Sequence, residues 1–166
     1  MSSPPRLRAP VNLVSPRART FWTVRAGLVW ALIVVVQIVV LVVPGSRGHR
    51  AVNVLVLLVS LLPAVAHLVV MPRWRFRVHR WEVTPTACYA QDGWLTQRRR
   101  IAPLSRIQTV DTERGPLEQL FRLASVTVTT ASAAGPISIK GLDREVAARL
   151  VEELTTVTAA SPGDAT

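Results

Sequence analysis

The chain has 166 residues, 49% of them hydrophobic, and a formal net charge of +10. Its single cysteine, Cys88, excludes an intrachain disulfide and a cysteine-based metal cluster. The excess charge does not mark a nucleic-acid binder: eleven Arg and no acid precede Glu82, whereas nine basic and ten acidic residues follow Trp81, so the basicity belongs to membrane flanks and the C-terminal part is near neutral.

Residues 1–25 hold Pro4, Pro5, Pro10 and Pro16 among five arginines, without sustained periodicity, and are expected to form a basic cytoplasmic tail, disordered until its last few residues. Two runs follow, 26–43 and 51–71, with no Asp, Glu, Lys or Arg in either. As helices they span roughly 27 and 32 Å, enough to cross a hydrocarbon core of about 30 Å. A cleaved signal peptide fits poorly, because the first run is too long, Val42-Val43-Pro44 is a weak cleavage site and a second run follows. The link 44–50, with Pro44, Gly45 and Gly48, is expected to be the outer turn of a transmembrane hairpin. Arginines outside both spans place the two termini in the cytoplasm.

Inside the spans, Gln37 and His67 are the polar residues without a cheap local explanation, and they are expected to pack between helices or between protomers. Pro63 is expected to kink the second helix. Residues 72–80 alternate aromatic and basic side chains, which fits a juxtamembrane interface with Trp74, Arg75 and Arg77 at the headgroups. Trp74, Phe76 and Val78 also share one phase of a strand, with a bulge or break needed near His79.

From Trp81 the pattern becomes short β-prone runs separated by turn residues, predicting strands at 81–84, 87–91, 94–102, 107–111, 126–130 and 137–139. Asp92-Gly93 and Gly135-Pro136 are read as hairpin turns. Ile107 and Val110 are three apart, so burying both requires a bulge. Gly115-Pro116 opens one amphipathic turn that sets Leu117, Leu120 and Phe121 against an end of the sheet. A final helix comes next, with Asp143 as its N-cap and Leu142, Val146, Leu150, Leu154 and Val157 as its apolar stripe; 159–166 is a tail.

Gly93-Trp94-Leu95, then Ile101-Ala102-Pro103-Leu104-Ser105-Arg106-Ile107-Gln108-Thr109-Val110, then Gly115-Pro116-Leu117-Glu118, then the 123–130 run resemble the bacterial pleckstrin-homology-like family in which two transmembrane helices precede the domain. That family commonly has Gly where Arg122 stands and often Pro where Lys140 stands. The resemblance implies an α+β membrane protein: a two-helix hairpin, then a PH-like, partly open antiparallel β-barrel over 81–158 capped by a C-terminal helix, on the cytoplasmic face of a bacterial inner membrane. It implies no lipid specificity, and short members of the family often accompany longer ones with several such domains.

The candidate binding surface is Trp94 with Arg98, Arg100 and Arg106. Arg98 and Arg100 share one strand face with Trp94, so an aromatic ring and guanidinium groups can meet a phosphate or an acidic peptide. No nucleophile elbow, phosphate loop, His-Glu-x-x-His or Cys-x-x-Cys is present, and Cys88 reads as a buried inert thiol. The expected function is therefore a non-enzymatic scaffold module, without cofactor, metal or small-molecule substrate, held at the lipid bilayer and docking a protein partner that is a second copy or a longer family member. Direct binding of anionic lipid headgroups is the alternative, and nucleic-acid binding a further one that the near-neutral domain disfavours.

Overall fold

The computed structural model describes residues 9–43, 49–131 and 135–160. Residues 44–48 of the expected outer turn 44–50, residues 1–8 of the expected tail and positions 161–166 lie outside the described residues.

Two long helices open the fold, α1 (Arg17–Val42) and α2 (Arg50–Val78), preceded by a two-residue strand β1 (Asn12–Leu13). Then come β2 (Arg80–Val83), β3 (Ala87–Gly93), β4 (Gln97–Pro103), a 3-10 turn Leu104–Arg106, β5 (Ile107–Glu113), α3 (Pro116–Leu120), β6 (Leu123–Thr130), β7 (Ile137–Asp143) and α4 (Arg144–Ala160). The strands form two antiparallel sheets, ordered β1-β2-β3-β4 and β5-β6-β7, which do not close on each other. Both sheets and α4 share one core with the N-terminal segment, so the expected partly open barrel capped by a helix is the architecture found.

Both apolar runs are longer as helices than as charge-free segments. α1 begins nine residues before Ala26, because Ala18, Phe21, Trp22 and Ala26 recur at helical spacing and are buried in the domain core. Residues 10–25 are thus not the structureless tail that their Pro and Arg content predicts. Leu13 pairs with Arg80 and Asn12 with Trp81. Ser15 N–H donates to Gly141 O at 2.9 Å, Ser15 Oγ accepts from Arg17 N–H at 3.2 Å, and it donates to Asp143 Oδ1 at 2.9 Å. Arg17 Nη1 joins the same carboxylate at 3.2 Å. Asp143, read as the cap of the last helix, therefore also ties the start of α1 to the end of β7.

The segment 72–78 is helical rather than extended, and the break predicted near His79 is where α2 ends. β4 starts at Gln97 instead of Trp94, because Gly93 still pairs with Gln97 and the hairpin turns through 94–96. Gly93 has φ +124°, and a Cβ there would lie 1.9 Å from Thr96 O, so the tip closes on a backbone that needs glycine. The bulge demanded by Ile107 and Val110 is present as a register shift between Ile107 and Thr109, and both side chains pack against the core. In α3, Leu117 and Phe121 pack inward while Leu120 is 74% exposed: on a helix this short only the i, i+4 pair reaches the sheet. Arg122 follows it with φ +54°, a left-handed conformation that glycine adopts more readily than arginine. Leu150 and Leu154 are buried as the predicted stripe requires, together with Ala147, whereas Leu142, read as the start of that stripe, is buried as part of β7.

Candidate functional site

Strand β4 carries the arginine run along the edge of its sheet, opposite the start of β7. Ala102 and Arg100 share the face that looks between the sheets, and Arg100 Nη1 donates to Pro136 O, bridging the gap the open barrel leaves. Arg99 lies on the other face, where its Nε donates to Gln91 Oε1 at 3.1 Å. Arg100 and Arg106, with Thr130 and Ile137, line a half-open cleft of about 310 Å³. Guanidinium groups offer forked donors to carboxylate or phosphate oxygens, so the cleft suits an anionic group.

Of the four residues read as one surface, the structure brings Arg100 and Arg106 together in this cleft. Arg98 lies one pair beyond, opposite Asp92, and Trp94 lies in the hairpin tip. Trp94 does not meet Arg98. Its ring stacks on His67 of α2, with centroids 5.5 Å apart and planes inclined by 25°. The strand phase that suggested an aromatic and a guanidinium on one face fails because the chain is already turning at Trp94.

Gln37 and His67, the polar residues of the two apolar helices, pair those helices with each other. Trp30 Nε1 donates to His67 Nδ1 at 3.0 Å, and Ser60 Oγ donates to Gln37 Oε1 at 3.1 Å. Both bonds satisfy polar groups that hydrocarbon would leave unpaired, which is why the residues are tolerated there. Among the juxtamembrane residues, Trp74 is half exposed and Arg77 exposed on the outside of α2. Arg75 turns inward instead, its guanidinium 4.7 Å from the Trp22 ring.

That inward turn builds a junction that sequence reasoning missed. Trp22 is 2% exposed, packs 5.0 Å from the His79 ring and closes on the backbone of Gly141. His79 Nδ1 donates to Arg75 O at 2.8 Å and Nε2 accepts from Arg75 Nε at 3.4 Å, an arrangement open only to the neutral ring. Burial, reinforced by the adjacent Arg75 charge, lowers the His79 pKa to about 4. Arg19 lies over Phe76 at 4.5 Å, and Phe21 meets Phe121 edge-on at 6.1 Å. The signal that would have found this junction is the 18, 21, 22, 26 spacing, a helical stripe hidden among arginines. Cys88 is fully buried, and burial pushes its thiol up to about 11, far from the range of a nucleophile.

Residues 26–157 match the family described as Bacterial PH domain. The chain is 30% identical over 156 residues to the UPF0699 transmembrane protein YdbS of Bacillus subtilis (strain 168), covering 88% of this chain and 91% of that protein. No solved structure matches. The relative is named as a transmembrane protein, and both long helices here are apolar enough to cross a bilayer. A hairpin of that kind leading into two open antiparallel sheets and a capping helix, with the match running from the first span through α4, makes the chain a membrane-associated member of the bacterial PH domain family.

Proposed function

We propose that this protein is a membrane-anchored scaffold whose PH-like domain docks a protein partner at the cytoplasmic face of the bacterial inner membrane, the partner being a second copy or a longer member of the same family. The observation that carries this reading is the free side of β5. The strand pairs with β6 alone among the described residues, and its Gln108, Thr109, Asp111, Thr112 and Glu113 are exposed. An open edge of this kind accepts an extended segment through backbone hydrogen bonds, with neighbouring pockets giving selectivity. Tethering adds to affinity, because two proteins confined to one bilayer meet at a raised effective concentration. The adjacent arginine cleft supplies a place for an acidic side chain of the docked segment.

Site-specific photocrosslinking in cells tests this. A photoreactive residue at Thr112 should give a discrete adduct whose mass identifies this chain or a longer relative, while the same residue at Arg149 on α4 should not. Equal, diffuse labelling from both positions would count against a docking edge. Adducts to anionic lipid alone, with none to protein, would transfer the function to headgroup recognition.

A further inference from the structure

The tip of the β3–β4 hairpin lies against a part of α2 that belongs to the membrane. The last charge-free residue of the second run is Met71, and Arg73 comes two positions later. His67 is four residues further into the run, roughly 6 Å along the helix axis. Trp94 stacks on His67 at 5.5 Å, and the same His67 accepts the interhelical bond from Trp30. The domain therefore reaches past the arginine boundary into the apolar layer.

The residue after Trp94 agrees with that depth. Leu95 is 85% exposed, the highest exposure of any large hydrophobic side chain among the described residues. An apolar side chain at the apex of a tight hairpin beside a lipid-facing helix is continuous with the lipid-facing surface. Arg98 is the second residue of β4, three residues from Leu95 and so at most roughly 10 Å from it, a separation that the turn through 94–96 shortens. The headgroup layer is about 5 to 7 Å thick on each side of the hydrocarbon. With Leu95 in the hydrocarbon, exposed Arg98 falls at the phosphates.

We infer that the β3–β4 tip is a membrane-inserted wedge, with Trp94 and Leu95 in the lipid and Arg98 at the headgroups of the same leaflet. Its occupant is the bilayer that holds the hairpin. The wedge fixes the rotation of the domain about the hairpin axis, because the helices and the tip enter the membrane at separate points. The free edge of β5 is thereby given a constant orientation to the membrane surface.

The buried, unreactive Cys88 leaves a new surface cysteine as the site of labelling in the otherwise unaltered chain. Full-length Leu95→Cys carrying an environment-sensitive fluorophore, reconstituted in phosphatidylethanolamine and phosphatidylglycerol vesicles, should emit to the blue of the same label at Thr112→Cys. It should be quenched by acyl-chain nitroxide lipids and be several-fold less quenched by aqueous iodide. Equal iodide quenching at both positions would overturn the wedge. If Leu95→Cys fails to fold, which labelling at Cys88 reveals, Thr96→Cys carries the same expectation and the same refuting result.

Discussion

Trp22→Ala tests whether the base of the first helix belongs to the folded domain. The indole is 2% exposed, its Cζ2 atom lies 3.5 Å from where a Gly141 Cβ would stand, and the Arg75 guanidinium is 4.7 Å above it. Replacing a buried Trp with Ala costs about 3 to 5 kcal/mol, a figure that includes the lost cation–π contact of about 0.5 to 2 kcal/mol. A domain of this size is stable by about 5 to 15 kcal/mol, so the loss is a large share of the whole. The lone thiol gives the readout. Cys88 is 0% exposed and its pKa is pushed up to about 11, so a maleimide reaches it only when the core opens. Where labelling is slower than reclosing, its rate follows the opening equilibrium. At about 1.4 kcal/mol per tenfold, Trp22→Ala should speed labelling by about a hundredfold to a few thousandfold. Trp22→Phe, which keeps a ring against His79, should fall well below that. An acceleration under about tenfold in Trp22→Ala would refute the claim that α1 and the sheets share one core.

The same junction and its neighbours carry three further expectations. Gly141→Ala should destabilise by about 1 to 3 kcal/mol, because φ is +80° and the new Cβ would lie 2.9 Å from Ala18 Cβ; adding Ala18→Gly should relieve the clash but not the backbone cost, as read by Cys88 labelling. Arg122→Gly should raise stability by up to about 1 kcal/mol in thermal unfolding, since the left-handed backbone there already suits glycine; a lower melting temperature would contradict that. His79 has a folded pKa of about 4 against an ordinary 6.5, so the unfolded chain takes up the proton first and stability is lost as pH falls from about 6.5 to about 4, by about 3 kcal/mol at most. His79→Gln should flatten that slope in unfolding measured across the window, and an unchanged slope would assign it to other groups.

The parts of the fold legible in the sequence are those set by local pattern. The apolar helices show as charge-free runs, the last helix as a stripe from Val146 to Val157, and the bulge at Ile107 from two apolar residues spaced at an odd interval. What stayed hidden depends on contacts across the chain. The helical spacing of Ala18, Trp22 and Ala26 is short and embedded in arginines, and nothing local says that Gly141 lies opposite. Arg75 looks like its exposed neighbours Arg73 and Arg77 until Trp22 is placed beneath it. In the candidate surface, Arg100 and Arg106 converge because a chain turn at Leu104–Arg106 folds β4 towards β5. Trp94 left that group because Gly93 extends the ladder by one pair beyond Asp92.

These contacts change what the hairpin is. A tether and a domain joined by a loose linker would keep separate cores, and the domain would tumble above the bilayer. Here Val14, Ala18, Phe21, Trp22, Ala26 and Met71 pack with Leu123, Leu142 and Leu150 in one cluster. A segment beginning at Trp81 lacks β1, the base of α1 and the end of α2, and so loses the groups that cover Gly141 and His79. The smallest folded unit therefore includes the helices. Because α1 runs unbroken from Arg17 to Val42, its exposed apolar half and its domain-facing half cannot rotate independently. Around the exposed half the apolar residues are exposed on nearly every side, so lipid alone does not choose a rotation. The bonds Trp30 to His67 and Gln37 to Ser60 set which faces of the two helices meet, and Trp22 at the base sets how the pair meets the sheets. Rigidity in the first helix thus fixes the orientation of the two sheets relative to the apolar helices.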